Sequence, residues 1–525
     1  MTFGWWRRPW VVAGALAAAL SVIWAVWMAR DAGDLAAQYA WTNFVRNHPG
    51  LAYNLSWYGG IHPASYSVLS PYLMAWLGVR TTGVLACATG AALGGLLLTR
   101  SGLTRPLLPA AWLSVAVWCN LAAGRVTYLL GLLFALAATV AVLDGAGRWR
   151  PRPVLALILG TVATLCSPVA GLFIEVLAAA LFLTGRRRHA YLIAPGPPVV
   201  IAVTALLFPF SGVQPFPWYA ALVTAASAAA VALLTPPAWR IVRAGAWVYA
   251  AGTVLCWALP TPIGSNVERL ALLGGGAILI CAAVESGRGR RMAVTYAAAA
   301  GLVAWTLSQP ALDLARPAPV ATAAPLISEL HRLGADQGRV EVVPMRTHWE
   351  AVGIAPYVNL ARGWNRQADV ERNPLFYDDT LTADSYRTWL RNWSVGFVVL
   401  PRAELDNGGV AEARVIGAGQ PWLTPVWQDD SWQIYRVEGA DPLVSAPATV
   451  TYAGPAALTV NLPRPGPVVL RVAWSPWLAI AGADTTACLT QYGDWTQLSA
   501  PQPGSYTIEA RYSLDRGTPC PTADS

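Results

Sequence analysis

Residues 10–28 read WVVAGALAAALSVIWAVWM, and residues 30–34, almost directly after them, read RDAGD. About 20 apolar residues in an α-helix span the hydrocarbon of a bilayer, so the first stretch predicts a membrane-spanning helix. The two arginines just before it predict a cytoplasmic N-terminus, because basic residues favour the cytoplasmic side. Asp31 and Asp34 would then emerge on the outer face, where carboxylates beside a membrane indicate a function or full hydration.

The composition predicts the same class of protein. The chain has 525 residues, of which 55% are hydrophobic and 12% are charged. A soluble protein carries about 25% charged residues, so we predict a polytopic membrane protein that lies in the lipid bilayer and has a soluble part. The net charge of +8 comes largely from arginines in short loops, which set topology and do not indicate a nucleic-acid partner.

Apolar stretches predict about eleven membrane spans. After the first, they lie near residues 82–99, 107–122, 127–144, 153–166, 169–185, 191–209, 219–236, 244–259, 269–284 and 292–308. Arginines mark alternate loops, at positions 100 and 105, 148–152, 186–188, 240 and 243, and 288–291. These loops would all be cytoplasmic, so an odd number of spans places the chain after about residue 312 outside the membrane.

We predict three regions along the chain. They are a transmembrane domain over 1–311 with a long outer loop over 30–70, an extracytoplasmic α/β domain over 312–440 and a β-rich, sandwich-like extracytoplasmic module over 441–525. The α/β domain is predicted from helices over 324–333 and 385–393 and strands over 339–343 and 395–400. Later runs such as 432–437, 468–472 and 505–512 alternate as strands do. Cys488 and Cys520 could pair in an oxidising compartment.

Polar residues collect in the segments that this topology places outside. The candidate substrate-binding residues are Tyr58, His62, Tyr66, Asn120, Arg125, Glu268, Arg269, Trp364 and Arg366. Aromatic rings interleaved with amides and hydroxyls suit a sugar, and an arginine can hold a phosphate through two parallel hydrogen bonds. Structural roles remain open for the same residues: an interfacial aromatic belt, solvated loop carboxylates, and arginines that extend to the membrane surface.

This layout resembles the GT-C superfamily of integral membrane glycosyltransferases. The resemblance rests on the acidic loop after the first span, the many spans before an outer domain, and the segments 57–63, 124–128 and 363–367, which look like those of actinobacterial membrane proteins. It implies a polyprenyl-phosphate sugar as donor, a cell-envelope glycan as acceptor and a plasma-membrane location. It also implies that Asp31 or Asp34 is the catalytic base or a metal ligand, so a divalent cation is an open option and no other cofactor is required.

The sequence thus predicts an enzyme in which Asp31 or Asp34 deprotonates the acceptor hydroxyl while Arg125 and Arg269 hold the donor phosphate. Two other classes stay open. One is a transporter or flippase of lipid-linked sugars, although few ionisable residues lie in mid-span. The other is a non-catalytic envelope assembly protein, whose tail binds glycan while the spans only anchor it.

Overall fold

The computed structural model describes residues 8–29, 32–142, 152–285, 289–314, 322–482 and 486–521. Within these ranges the chain is mostly helical, and its strands all follow residue 338. The chain divides into two compact units. The first, here called the helical unit, comprises residues 1–38 and 67–317, and the second, the mixed unit, comprises residues 39–66 and 318–525.

Helices fill the helical unit. They are α1 (Pro9–Ile23), the first residues of α2 (Gly33–Asn47), α3 (Ser70–Leu77), α4 (Val79–Arg100), α5 (Leu107–Ala122), α6 (Val126–Val142), α7 (Pro153–Cys166), α8 (Pro168–Leu183), α9 (Arg187–Ile193), α10 (Gly196–Leu207), α11 (Trp218–Leu234), α12 (Arg240–Ala258), α13 (Gly276–Glu285) and α14 (Arg290–Leu314). A π-helical turn, Trp24–Met28, extends α1, and two short turns, Gly264–Glu268 and Ala271–Gly275, precede α13. Within the described residues, each predicted apolar stretch therefore lies mainly on helical chain, although 191–209 covers parts of two helices, α9 and α10.

Several of these helices are suited to a membrane. Five helical segments of the described chain are long and apolar enough to cross one, namely Pro9–Met28, Val79–Arg100, Arg187–Leu207, Arg240–Ala258 and Gly264–Glu285. Large apolar side chains such as those of Leu206, Leu222 and Leu233 remain exposed. In a water-soluble unit, an apolar surface of this extent would be buried. Its exposure here is compatible with a location of the helical unit in a bilayer.

Small residues let these helices approach each other closely. Ala13 and Ala17 of α1 are fully buried. On α4, a Cβ atom added to Gly95 would lie 2.8 Å from the Cα atom of Trp10. Glycine and alanine at such contacts are typical of helix packing in membranes, where van der Waals contact replaces the hydrophobic effect as the driving force.

The segment 30–70 differs from the predicted outer loop. Gly33–Asn47 forms α2, because buried residues recur along it with helical spacing. These buried residues include Leu35, Gln38, Trp41, Thr42 and Val45. Residues 39–66 also belong to the mixed unit, whereas we had assigned them to the transmembrane domain. Among the arginine-marked loops, residues 148–151 and 288 lie outside the described ranges.

The mixed unit contains eleven described strands and five further helices. The strands are β1 (Arg339–Val342), β2 (Val395–Pro401), β3 (Leu423–Gln428), β4 (Trp432–Val437), β5 (Thr449–Ala453), β6 (Ala457–Leu462), β7 (Gly466–Ala473), β8 (Ala479–Ile480), β9 (Cys488–Tyr492), β10 (Trp495–Ala500) and β11 (Gly504–Glu509). The helices are α15 (Ala324–Arg332), α16 (Glu350–Gly353), α17 (Arg366–Arg372), α18 (Ala383–Asn392) and α19 (Asn407–Gly417). Each helix and strand that we predicted in this tail coincides with one of these elements.

The strands form three sheets within the described residues. In the first, with the order β1-β2-β4-β3, β1 and β2 are parallel and the other pairs are antiparallel. The other two, β7-β10-β9 and β5-β6-β11-β8, are antiparallel. A disulfide joins Cys488 to Cys520, so the predicted pairing is confirmed.

Backbone hydrogen bonds tie the segment 51–62 into the mixed unit. Ala52 N donates to Ala510 O at 2.8 Å, and Ala473 N donates to Gly59 O at 2.9 Å. The guanidinium group of Arg372 also donates to the backbone oxygens of residues 58 and 60, at 2.7 Å each. This segment, which follows α2 in the chain, is therefore an integral part of the mixed unit.

Candidate functional site

Four residues of the helical unit form what we call the Asp34 cluster: Asp34, Arg125, Tyr128 and Arg269. Asp34 Oδ2 lies 3.6 Å from Arg125 Nε and 3.6 Å from Arg269 Nη2. The guanidinium group of Arg269 also lies over the ring of Tyr128, 5.2 Å from its centroid. The structure thus brings together three residues that we selected from separate segments of the sequence.

Local geometry places Asp34 beside Arg125. Asp34 lies in the first turn of α2, where the helix dipole favours a carboxylate. One turn later, the amide of Gln38 donates to Gly124 O and accepts a hydrogen bond of 2.9 Å from Thr127 N. Gly124 has a φ of +74°, and a Cβ atom there would lie 2.8 Å from a backbone nitrogen of α2. A glycine is therefore needed for the turn before α6 to contact α2.

The Asp34 cluster is partly open. The side chain of Asp34 keeps 37% of its surface exposed, whereas those of Arg125 and Arg269 keep 20% and 18%. Arg125 Nε is buried and has no hydrogen-bond partner among the residues that the structure describes. Because 3.6 Å is too long for a hydrogen bond, Arg125 retains the capacity to donate to another anion.

The other predicted residues of the helical unit lie close to this cluster in the chain. Asn120 is buried, and its backbone oxygen accepts a hydrogen bond of 2.9 Å from Arg125 N. Glu268 directly precedes Arg269 and interacts electrostatically with both arginines of the cluster. Asp31 lies outside the described residues, so of the two predicted catalytic carboxylates the structure describes Asp34.

The charges of the Asp34 cluster fit an anion better than a metal ion. Within the described chain, no three His, Cys, Asp or Glu side chains converge on one point. The two guanidinium groups that flank Asp34 would repel a divalent cation. The same groups favour a phosphate, which arginine binds through paired hydrogen bonds.

In the mixed unit, Tyr58 and His62 are buried and bonded to protein atoms. Tyr58 Oη donates to Gly363 O at 2.8 Å. His62 Nδ1 lies 2.7 Å from Ala52 O, and His62 Nε2 lies 3.1 Å from Ser475 Oγ. Burial lowers the pKa of His62 to about 4. Tyr66 stacks on Trp41, with ring centroids 6.5 Å apart.

A second polar cluster, the Arg362 network, is buried in the mixed unit and consists of Glu341, Arg362, Asp369, Tyr377 and Glu412. The guanidinium nitrogens of Arg362 lie 2.8 Å from Asp369, 3.0 Å from Glu412 and 3.6 Å from Glu341. Three carboxyl groups therefore share one guanidinium group. Burial and the neighbouring Glu412 raise the pKa of Glu341 well above its usual range, which favours the protonated form of Glu341.

Trp364 and Arg366, both predicted to bind substrate, adjoin this network. Arg366 donates to Asp406 Oδ1 at 2.7 Å and to the hydroxyl group of Tyr377 at 2.8 Å. The ring of Trp364 stacks on His348, with centroids 3.5 Å apart. His348 also lies 3.6 Å from Asp406 and 3.3 Å from Glu350. Burial disfavours the charged ring, but these two carboxylates raise the pKa of His348 above its ordinary value.

The sequence did not indicate the Arg362 network. Its carboxylates and the nearby His348 are spread over the tail without a repeated spacing, and isolated acidic residues in a tail usually indicate a solvated surface. Burial of the first sheet and of the segment 359–369 brings them together. Arg366, which we predicted to bind substrate, donates hydrogen bonds to protein carboxylate and hydroxyl groups.

Glu341→Gln is expected to reduce the loss of stability of the mixed unit as the pH rises. A carboxyl group whose pKa is raised on folding stabilises fully below its unfolded pKa of about 4.3, and this stability is lost as the pH rises through the folded pKa. Glutamine keeps the shape and cannot ionise. The unfolding midpoint of the full chain, measured from about pH 5 to about pH 9, should therefore fall less steeply.

A matched control for this experiment is Glu438→Gln, because Glu438 is exposed at the end of β4. It should keep the wild-type dependence of the midpoint on pH. The slope for Glu341→Gln should not vanish, since the raised pKa of His348 also removes stability as the pH rises. Identical slopes for Glu341→Gln and wild type would contradict a raised pKa of Glu341 in the folded protein.

The C-terminal part of the chain matches a known family. Residues 445–525 match a family described as Domain of unknown function (DUF8823). The match covers strands β5 to β11 and both cysteines of the disulfide. Comparison with curated proteins gives no match. The description of the matched family gives no activity.

Proposed function

We propose that this chain is a membrane glycosyltransferase of GT-C-like architecture with about eleven spans. It would transfer a sugar from a polyprenyl-phosphate donor to a cell-envelope glycan on the outer face. The observation that carries the proposal is the Asp34 cluster, in which a partly exposed carboxylate lies beside two guanidinium groups. Such a cluster offers a base and a phosphate-binding group in one place.

In the proposed reaction, Arg125 and Arg269 hold the donor phosphate. A phosphate forms paired, charge-assisted hydrogen bonds with guanidinium groups, whereas Asp34 lies beyond hydrogen-bond distance from them. The phosphate would therefore compete with Asp34 for the arginines. The same two cations would stabilise the negative charge that develops on the leaving phosphate.

Asp34 would then serve as the general base. Its carboxylate takes the proton of the acceptor hydroxyl. The acceptor oxygen forms a bond to the anomeric carbon of the sugar, while the bond between that carbon and the phosphate oxygen breaks. The products are the extended glycan, the lipid phosphate and a protonated Asp34, which releases its proton to water.

Two features support an outer-face location for the mixed unit in the plasma membrane. The arginine-marked loops predict a cytoplasmic N-terminus and, with an odd number of spans, an extracytoplasmic tail. The disulfide between Cys488 and Cys520 lies in that tail, and disulfides persist in oxidising compartments. A lipid-linked donor suits such a location, because nucleotide sugars are cytoplasmic.

Arg269→Gln is expected to raise the KM for the donor by about 10- to 100-fold, because a hydrogen bond to a charged group contributes about 1.5–3 kcal/mol. Initial rates of transfer of radiolabelled sugar from polyprenyl-phosphate donors, measured with membranes at several donor concentrations, separate KM from kcat. Arg240→Gln, an exposed residue at the start of α12, is the matched control and should behave as wild type. An unchanged donor KM in Arg269→Gln would remove this arginine from the donor site.

A further inference from the structure

A cleft in the mixed unit is lined by one side of α2 and by three other segments. From α2 and the residue after it come Ala40, Asn43, Phe44, Asn47 and His48, which have helical spacing. The walls are completed by residues 54, 56 and 57, by residues 351, 352, 355 and 356, and by Pro455. Counting the space that is open to solvent, the cleft has a volume of about 460 Å³.

The polar groups in this cleft are neutral. Asn43, Asn47 and Asn54 contribute amides, each of which can both donate and accept hydrogen bonds. Burial lowers the pKa of His48, so its ring is uncharged at pH 7. None of the described lining residues is Asp, Glu, Lys or Arg. A charged ligand would lose hydration here without gaining an opposite charge.

Apart from the neutral hydroxyl of Ser56, the rest of the wall is apolar. It is formed by Phe44, Trp57, Val352, Pro356 and Pro455, together with alanine side chains. A sugar ring has CH faces that pack on such surfaces and hydroxyl groups that both donate and accept, as amides do. The mixture of neutral amides and apolar rings therefore selects a neutral, hydroxyl-rich ligand and distinguishes this cleft from the cationic Asp34 cluster.

We infer that this cleft binds a neutral sugar residue of a glycan. Its role as the acceptor subsite rests on the proposed transferase function, whereas binding itself needs no donor and can be measured alone. The α2 helix carries Asp34 in its first turn and Asn43 and Asn47 in its later turns. The helix that bears the proposed base thus also bears the amides of the sugar site.

The test measures binding to the full-length protein in lipid nanodiscs by isothermal titration calorimetry, without donor and without sugar detergents. The probes are neutral manno-, galacto- and arabino-oligosaccharides, with an anionic oligogalacturonide for comparison. At least one neutral probe should bind, and the Asn43→Ala/Asn47→Ala double variant should weaken its binding by about tenfold or more, because two hydrogen bonds are lost. Alanine favours helix, so α2 should be retained.

The matched control is Arg46→Ala, which changes an exposed residue of the same helix that does not line the cleft. It should bind as wild type does. Val352→Trp, which fills the cleft, should abolish binding. Failure of all neutral probes to bind wild type, equal binding by wild type and the double variant, or tighter binding of the anionic probe would each overturn the inference.

Failure of this inference is distinguishable from failure of the proposed function. The protein could bind a neutral oligosaccharide in the cleft but show no transferase activity. That result would support the sugar site and contradict the proposed enzyme function. Conversely, the wild-type protein could transfer sugar while the double variant keeps wild-type oligosaccharide binding and a wild-type KM for the acceptor. That result would support the transferase function and show that the sugar does not bind in this cleft.

Discussion

Asp34→Asn is expected to abolish sugar transfer, with kcat reduced by about 10²- to 10⁴-fold, the usual contribution of a general base. Asparagine has nearly the same size as aspartate but cannot take the proton of an acceptor hydroxyl. The donor should bind the variant as well as wild type or better, because the arginines lose the carboxylate that competes with phosphate. Transfer of radiolabelled sugar from polyprenyl-phosphate donors, at saturating donor, measures the change in kcat.

Two further variants separate a base from a structural ion pair. Asp34→Glu keeps the negative charge and the proton acceptor, so it should retain part of the activity that Asp34→Asn loses. Asp384→Asn changes an exposed aspartate in the first turn of α18 and should transfer sugar at the wild-type rate. Wild-type kcat in Asp34→Asn would disprove the assignment of the base.

The same variants distinguish the enzyme from a transporter of lipid-linked sugars. A transporter also needs cations that hold a phosphate, but it needs no group that takes a proton from an acceptor. If proteoliposomes with wild-type protein move the donor lipid across the bilayer without transferring its sugar, and Asp34→Asn does so equally well, the transporter class replaces the enzyme.

Apolar length was the property of this sequence that best predicted the fold. A segment such as 107–122 has few choices other than a helix, because an apolar run of that length must satisfy its own backbone hydrogen bonds when it leaves water. The alternation of 468–472 predicted β7 for a comparable reason, since one side of the strand is buried and the other is not. Both signals are local, so each can be recognised from a short segment of the sequence alone.

The helix α2 was not predicted because its composition resembles that of a loop. Its residues are rich in aromatic and polar side chains, so the mean hydropathy of 33–47 predicts a loop, whereas the spacing of its buried residues fits a helix. The division of α2 between two units depends on contacts with distant parts of the chain, such as the ring contact between Tyr39 and Trp349. No window of sequence contains that information.

The site was predictable in part. Asp34, Arg125 and Arg269 were selected because each lies at the end of an apolar stretch, and the ends of neighbouring spans on one side meet at one surface. Tyr58 and His62 were selected by residue type alone, and the structure buries both side chains against protein atoms. Residue type identifies groups capable of binding a sugar, but burial decides which of them can contact one.

Arg362→Met is expected to destabilise the mixed unit by about 3–5 kcal/mol, the usual result of removing one partner from a buried ion pair. Only 2% of the Arg362 side chain is exposed, and its guanidinium group lies 4.0 Å above the centroid of the Phe376 ring. Methionine keeps much of the packing but leaves Asp369 and Glu412 buried without a cation. For a unit of this size the unfolding midpoint should fall by about 6–20 °C, because each kcal/mol shifts it by about 2–4 °C.

Unfolding of the full chain, followed by circular dichroism at the wavelengths of β-structure, measures this shift. Arg391→Met is the matched control, because Arg391 pairs with Asp441 at 3.1 Å but keeps 53% of its side chain exposed. A surface ion pair contributes about 0–1 kcal/mol, so the control should move the midpoint by at most about 4 °C. Equal midpoints for the two variants would show that the Arg362 network does not stabilise the mixed unit. A large shift in Arg362→Met alone would establish that buried ion pairs stabilise the segment 359–369. The polar residues of this segment, including Trp364 and Arg366, would then contribute to the stability of the fold whether or not a ligand binds.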